Sequence, residues 1–208
     1  MSGPVEWLLP VHCAGCRAPG VRVCARCERA LARPPELVMP TVALDIPVWS
    51  CGPYGGPHRR IILDMKERGR VDVIPHAAAV LRAALEYLAA RGELPEPQEL
   101  SLVPAPTTRK HARQRGGDHV AALCRHTRLH TAELLFRIPR ARDSVGMSAA
   151  ERRRSLSGSV RVARAVRPPY ASVLVDDVLT TGSTLAASRA ALAYAGVAVI
   201  GAITLAAA

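Results

Sequence analysis

Two adjacent carboxylates, Asp176 and Asp177, close a short apolar run, Val173 to Val175, and are followed by Thr180, Thr181, Gly182, Ser183 and Thr184. A buried strand that ends in such a loop and feeds a helix gathers unpaired backbone N–H groups and the positive end of the helix dipole at one point, and that point holds an anion. Gly182 lets the backbone approach a ligand without a Cβ, and the hydroxyls add donors. The carboxylates beside the loop can accept hydrogen bonds from the vicinal hydroxyls of a sugar. An anion at one end and a diol at the other describe a ribose 5-phosphate. No G-x-x-x-x-G-K-[ST] occurs in the chain, which excludes a P-loop. The competing reading, an acidic helix cap, needs one carboxylate rather than two.

A second set of chemically able residues lies near the start. Cys13, Cys16, Cys24 and Cys27 follow a C-x2-C, x7, C-x2-C pattern. Four thiolates at this spacing, on two tight turns for which Gly15 and Gly20 are suited, can close a tetrahedral Zn²⁺ site with no open position, and such a site is structural. A redox C-x-x-C would be a single pair opening a helix after a strand, which does not fit here. Cys51 and Cys124 stand apart and read as buried thiols. His12 reads as a surface neighbour of the cluster, with a substitute ligand as the alternative.

The elements that must position these groups follow from pattern and punctuation. Ala32-Arg-Pro-Pro breaks the chain and reads as a linker, so residues 1–33 form a zinc-binding module and 34–208 an α/β domain. Ile46, Val48 and Trp49 mark a short strand, with Pro47 pointing to a sheet edge. Helices are expected over His58–Arg68, ending at Gly69, and from Pro75 to Gly92, with Ile61, Ile62 and Met65 on one face of the first. Leu100 opens a strand that runs into Pro104-Ala-Pro, and the prolines stiffen a loop presenting Arg109 and Lys110. His111, Arg113, Arg115, Gly116 and Gly117 continue as a cationic, glycine-hinged loop of the kind that can close over a reactive centre. Asp118–Thr127 is expected helical, and Leu134–Ile138 and Ser159–Val162 extended. Ser148-Ala-Ala-Glu151 is a capping box opening a short helix with Arg152, Arg153 and Arg154. The diacid strand leads into a helix ending near Ala195, stopped by Gly196, and Val197–Leu205 forms a last buried strand.

The formal net charge is +11, and residues 101–170 alone account for that excess. Such a field attracts polyanions, a pyrophosphate-bearing metabolite or nucleic acid, while for each single arginine a solvated surface charge is the competing reading. Lysine occurs only at 66 and 110 in this arginine-rich chain, a skew that reads as coding bias. The apolar Val5–Val11 run is short, contains Glu6 and has no basic flank, and no run reaches the roughly 18 apolar residues of a membrane span. A cytoplasmic location is therefore expected, where six cysteines argue for metal over disulfides.

The string from Val173 to Thr184 resembles the signature of type I phosphoribosyltransferases, which bind phosphoribosyl pyrophosphate (PRPP). Several other stretches narrow the resemblance together: the double C-x2-C, Pro57-His-Arg-Arg-Ile-Ile-Leu-Asp-Met-Lys-Glu-Arg-Gly69, Leu102-Val-Pro-Ala-Pro, Gln114-Arg-Gly116 and Ser148-x-x-Glu-Arg-Arg-Arg154. As a set they are similar to the ComF family, competence-associated phosphoribosyltransferase-like proteins that include the GntX group. The resemblance implies a twisted, mostly parallel sheet flanked by helices. It implies that Asp176 and Asp177 hold the ribose hydroxyls and serve catalysis, that Thr180, Thr181, Gly182, Ser183 and Thr184 hold the 5-phosphate, and that Arg109 and Lys110 face the pyrophosphate, with Mg²⁺ as companion ion. It also implies a link to DNA uptake with a helicase partner. The alternative within the family is a catalytically weak PRPP sensor, a single-stranded-DNA-binding protein or a scaffold. Where the family commonly has Arg-Gly-Phe-Asn-Gln, this chain has Arg115-Gly116-Gly117-Asp118-His119, a departure that bears on transfer more than on PRPP binding.

Overall fold

A computed structural model describes residues 11–106, 117–137, 160–163 and 167–208. Arg109, Lys110, the basic loop through Gly116, Gln114 and the Ser148–Arg154 capping box lie outside the described residues. The elements in chain order are α1 (Ala25–Leu31), β1 (Glu36–Leu37), β2 (Val48–Ser50), α2 (Gly56–Lys66), α3 (Ile74–Ala90), β3 (Leu100–Pro104), α4 (His119–His126), β4 (His130–Thr131), β5 (Leu135–Arg137), β6 (Val160–Val162), β7 (Ala171–Leu179), α5 (Ser183–Tyr194) and β8 (Val199–Ala207). The main sheet has six strands in the order β1-β2-β8-β7-β3-β4, and β5 pairs with β6 in a separate ribbon. Every neighbour pair in the main sheet is parallel except β1 with β2. The protein is thus α/β, with a mostly parallel sheet flanked by helices, as expected.

The central strands are apolar on both faces because helices cover both. On one face, Val173 and Val175 of β7, Leu100 and Leu102 of β3 and Ile203 of β8 share a core with Ile61, Ile62 and Met65 of α2, Leu81, Leu85 and Leu88 of α3, and Val120 and Leu123 of α4. On the other, Leu174, Val103 and Ala202 meet Leu185 and Leu192 of α5. The alternation of one residue to each side is the period of two of an extended strand. The stretch Val71–Ala90 is long and apolar enough to cross a membrane by length and composition, but its Ile74, Ala77, Ala78, Leu81, Ala84, Leu85 and Leu88 are buried as the face of a core helix is.

Two expectations shift. The diacid strand is longer than Val173–Val175: β7 runs through Asp176 and Asp177 to Leu179, because β8 continues beside it, with Asp176 opposite Thr204 and Val178 opposite Ala206. And β2 is not an edge strand, since the two-residue β1 covers its outer side. Pro47 is accommodated just before β2, where only its carbonyl is needed, accepting the Ala202 N–H at 2.9 Å.

The cysteine-bearing segment is tied into the main core. Cys13, Ala14, Val23, Cys27 and Leu31 belong to the same apolar cluster as α2 and α3. The polar fastening is Asp64 of α2, fully buried. Arg17 grips it with two hydrogen bonds of 2.7 Å each, Arg68 donates to it from one turn on, and Arg70 donates at 3.2 Å. Arg70 also reaches the His12 carbonyl at 2.8 Å, and Arg60 reaches that of Gly15 at 2.9 Å. Burial alone would raise the Asp64 carboxyl; the hydrogen bonds from Arg17 and Arg68 overcome it and hold it below the usual carboxylate range. Replacing Asp64 by Ala strands three guanidinium groups, all of them partly in water. The expected loss is roughly 2 to 4 kcal/mol, read from urea unfolding midpoints, against well under 1 kcal/mol for Glu86→Ala at an exposed i,i+4 pair.

Candidate functional site: an acidic pair at the sheet's crossover point and a four-cysteine cluster

The sheet has one place where the chain departs in opposite directions from adjacent strands. From β3 it crosses through α4 to β4, and from β7 it crosses through α5 to β8. The two helices pack on opposite faces, so the carboxyl ends of β3 and β7 lie at the crossover point that is the general position of ligand sites in open α/β sheets. Pairing of β3 with β7 stops at Pro104 opposite Val175. Asp176 and Asp177, the next two residues, therefore lie on the stretch of β7 that has β8 on one side and runs past the end of β3 on the other.

Their surroundings make them unlike. Asp177 is buried, and one of its oxygens, Oδ2, accepts from His119 Nε2 at 2.7 Å and Lys66 Nζ at 3.1 Å. Burial would raise this carboxyl; the His119 hydrogen bond and the Lys66 charge outweigh it and bring it down to about 2. Asp176 accepts the N–H of Asp177 at 2.8 Å. Burial first, and the Asp177 charge second, push the Asp176 carboxyl up to about 8. Asp177 thus loses its proton before Asp176, and while Asp176 keeps its own the pair can both accept and donate hydrogen bonds.

The two helix N-termini at this end are also unlike. In α4, Asp118 caps its own helix, accepting from Val120 N at 2.9 Å and Ala121 N at 3.2 Å, so its first donors are occupied from within. In α5 the N-cap is Gly182, in the left-handed region at φ 83°, with no side chain to accept from the helix. The first-turn amides there lack partners within the helix. Thr181 Oγ1 donates to Ser183 Oγ at 3.0 Å and accepts from the Ser183 N–H at 3.4 Å, and Arg137 of β5 donates to Thr184 Oγ1 at 2.9 Å while its Nε is buried with no partner among the described residues. What closes on Gly182 is the chain itself: a Cβ there would lie 2.6 Å from Pro40 Cβ, and Val42 N–H donates to the Thr181 carbonyl at 2.8 Å.

The structure thus brings together Asp176, Asp177, Thr180, Thr181, Gly182, Ser183 and Thr184 at one end of the sheet. Three further residues there were not assigned to the site from sequence: Lys66, Arg137, and His119, which was named as the last position of the altered Arg115–His119 loop. Spacing does not link them to the acidic pair, because they come from α2, β5 and α4. For Lys66 the available signal was that a chain rich in arginine keeps lysine at only two positions. A groove of about 430 Å³ lies elsewhere, between α1 and α3, lined by Leu31, Ala79, Val80, Ala83 and Tyr87 among others, and shares no residue with the acidic pair.

At the second cluster, the sulfurs of Cys13, Cys16, Cys24 and Cys27 all lie within 4.8 Å of one another, and Cys16 and Cys24 are 3.6 Å apart. Four thiolates around a tetrahedral metal with bonds of about 2.3 Å stand about 3.8 Å apart, so the set fits a metal ion. Against the effect of burial, amide donors from Cys24, Cys16 and Gly15 draw Cys13 down to about 6, while burial and the neighbouring cysteines push Cys27 up. Four thiolates cannot share this space without a cation to balance them. A Cβ on Gly15 would come within 2.6 Å of Cys27 Sγ; Gly15 is required by that approach rather than by turn conformation. The left-handed positions between the two cysteine pairs are Gly20, at φ 85°, as a turn requires, and Arg17, at φ 69°, the residue that grips Asp64. His12 is exposed and outside the cluster, and Cys51 and Cys124 are buried free thiols, the former pushed by burial up to about 12.

No known protein family matches the chain, and no curated protein is similar to it. Fold and clusters together define its class: a mostly parallel α/β protein with an acidic pair at its crossover point and a four-cysteine cluster near the N-terminus that could hold a metal ion.

Two measurements test these geometries. Asp176 binds its proton more tightly folded than unfolded, so between about pH 4 and pH 8 the folded state holds the extra proton and stability falls as pH rises. Unfolding midpoints followed over that window should fall for the wild type and fall distinctly less for Asp176→Asn; equal slopes would show that Asp176 ionises as a free carboxyl. For the cysteine cluster, elemental analysis should find one metal ion per wild-type chain and well under one for Gly15→Ala, whose methyl displaces Cys27.

Proposed function

We propose that the protein binds PRPP in the manner of ComF-type phosphoribosyltransferase-like proteins. The observation that carries this reading is the continuity of the acidic pair with the N-terminus of α5, whose N-cap Gly182 brings no side chain, at the carboxyl end of the sheet where the crossovers diverge. The α5 amides and the Thr180–Thr184 hydroxyls would bind the 5-phosphate. Asp177, ionised, would accept from a ribose hydroxyl, and Asp176 would contribute its proton or its charge according to pH. Arg109 and Lys110 would meet the pyrophosphate. Magnesium, carried with the pyrophosphate, supplies neutralisation of the leaving group. As the bond at C1 of the ribose loosens and the ring gains positive charge, the Asp177 carboxylate in its buried setting stabilises that charge.

The cysteine cluster would hold zinc as a closed, structural site. The link to DNA uptake, a helicase partner and a cytoplasmic setting belongs to the same reading, in keeping with six free cysteines. A second reading, a PRPP sensor or single-stranded-DNA-binding scaffold with little turnover, is favoured by one observation: His119 stands where the family commonly has a glutamine, and it is committed to Asp177 rather than to a base or acceptor.

Calorimetric titration with PRPP and Mg²⁺ should give saturable binding to the wild type and none to an Asp176→Ala/Asp177→Ala double variant. A flat wild-type titration would sink the proposal. Pyrophosphate release in the presence of nucleobases, nucleosides or DNA separates the enzyme from the sensor.

A further inference from the structure

The two partners of Asp177 differ in kind. His119 is almost fully buried, with its side chain 6% exposed, whereas the Lys66 side chain is 43% exposed. His119 opens α4, whose first turn is fixed by the Asp118 cap, so its imidazole is held where it is. Lys66 ends α2 and carries its ammonium on a flexible four-carbon stem. Both bind the same oxygen, Oδ2. Lys66 brings charge to a buried carboxylate and so helps to hold it ionised, but with its ammonium partly in water it is the partner that can leave. Its identity is not explained by composition, since arginine is used nearly everywhere else. Among the described residues Lys66 is the one lysine or arginine within salt-bridge distance of the acidic pair.

From these observations we infer that Lys66 is a ligand-binding cation: it neutralises Asp177 until a pyrophosphate-bearing ligand competes for it, then turns to the pyrophosphate and frees Asp177 Oδ2 for a ribose hydroxyl, while His119 keeps the carboxylate in place. The inference rests on the PRPP reading and adds a residue to it. Its chemistry is an exchange of partners. The ammonium passes from one anion to another with no change in protonation, and the carboxylate replaces an ammonium donor by a hydroxyl donor. A flexible point charge suits this exchange better than a planar guanidinium fork, which favours a fixed bidentate partner.

The test compares two ligands that share the ribose phosphate and differ in the pyrophosphate. PRPP and ribose 5-phosphate, each with Mg²⁺, are titrated calorimetrically into wild type, Lys66→Met and Lys66→Arg. PRPP affinity should fall at least tenfold in Lys66→Met, with Lys66→Arg in between, and ribose 5-phosphate affinity should stay within twofold in all three. A parallel loss for both ligands would assign Lys66 a structural role through Asp177, and unchanged PRPP binding would remove it from the site; either result overturns the inference alone. A wild type that binds neither ligand removes the PRPP reading and the inference with it. If Lys66→Met does not fold, Lys66→Gln, which keeps a donor for Asp177, gives the same comparison.

Discussion

The buried carboxylate of Asp64 is the constraint on which the arrangement depends. A charge with no exposure survives only when its hydrogen-bonding capacity is filled, and here Arg17, Arg68 and Arg70 fill it. Two of these arginines have a second consequence. Arg17 comes from the segment between the two cysteine pairs, so the orientation of the cysteine cluster is fixed to α2. Arg70 binds Asp72 as well as the His12 carbonyl, fixing the chain as it leaves α2 for α3. Two residues beyond Asp64 on the same helix is Lys66, which reaches Asp177. One helix therefore couples the four-cysteine cluster near the N-terminus to an acidic pair far along the chain, through side chains two positions apart.

The acidic pair shows how neighbours in one strand acquire different chemistry. Two carboxylates this close cannot both ionise cheaply, and the pair titrates as a unit. The asymmetry is imposed from outside: His119 and Lys66 both favour charge on Asp177, leaving Asp176 to carry the proton. A site of this kind offers a ligand both an acceptor and a donor within one dipeptide, a match for a diol, which is itself both donor and acceptor.

How far this could be read in advance depended on whether the signal was local. The diacid run, the hydroxyl loop and the cysteine spacing are contiguous patterns, and the structure brings each set together. Helices α2, α3, α4 and α5 fall within a few residues of their expected places because glycine, proline and apolar periodicity mark them. The length of β7 was not legible. Asp176 and Asp177 look like the start of a loop by composition, and only the neighbouring β8, paired through Asp176 and Thr204, keeps them extended. The same holds for β1 and β4, two residues each, which exist as strands only by virtue of their partners. The pairing of His119 and Lys66 with Asp177 was not legible for the same reason: a contact across 58 positions, as between His119 and Asp177, leaves no trace in spacing. Gly15 was noticed but for another cause, a turn, whereas its neighbour across the cluster is what excludes a side chain.

The hydroxyl loop is held on one side by the connection between β1 and β2. Pro40 packs on Gly182, Val42 donates to the Thr181 carbonyl, and Asp45 pairs with Arg189, in the middle of α5, at 3.0 Å. Leu44 and Ile46 of the same connection pack against the apolar cluster beneath that helix. A loop clamped in this way loses little further entropy when an anion arrives, which is what preorganisation means for binding. The clamp lies on the face of β7 where α5 packs, while His119 and Lys66 approach Asp177 from the face where α2 and α4 pack. A ligand at the crossover point would thus meet a rigid anion loop from one layer of helices and a mobile ammonium from the other, with the strand's two carboxyl groups between them. If the proposed reading holds, rigidity at one end and exchange at the other divide the work of first seating a phosphate and then responding to the rest of the molecule.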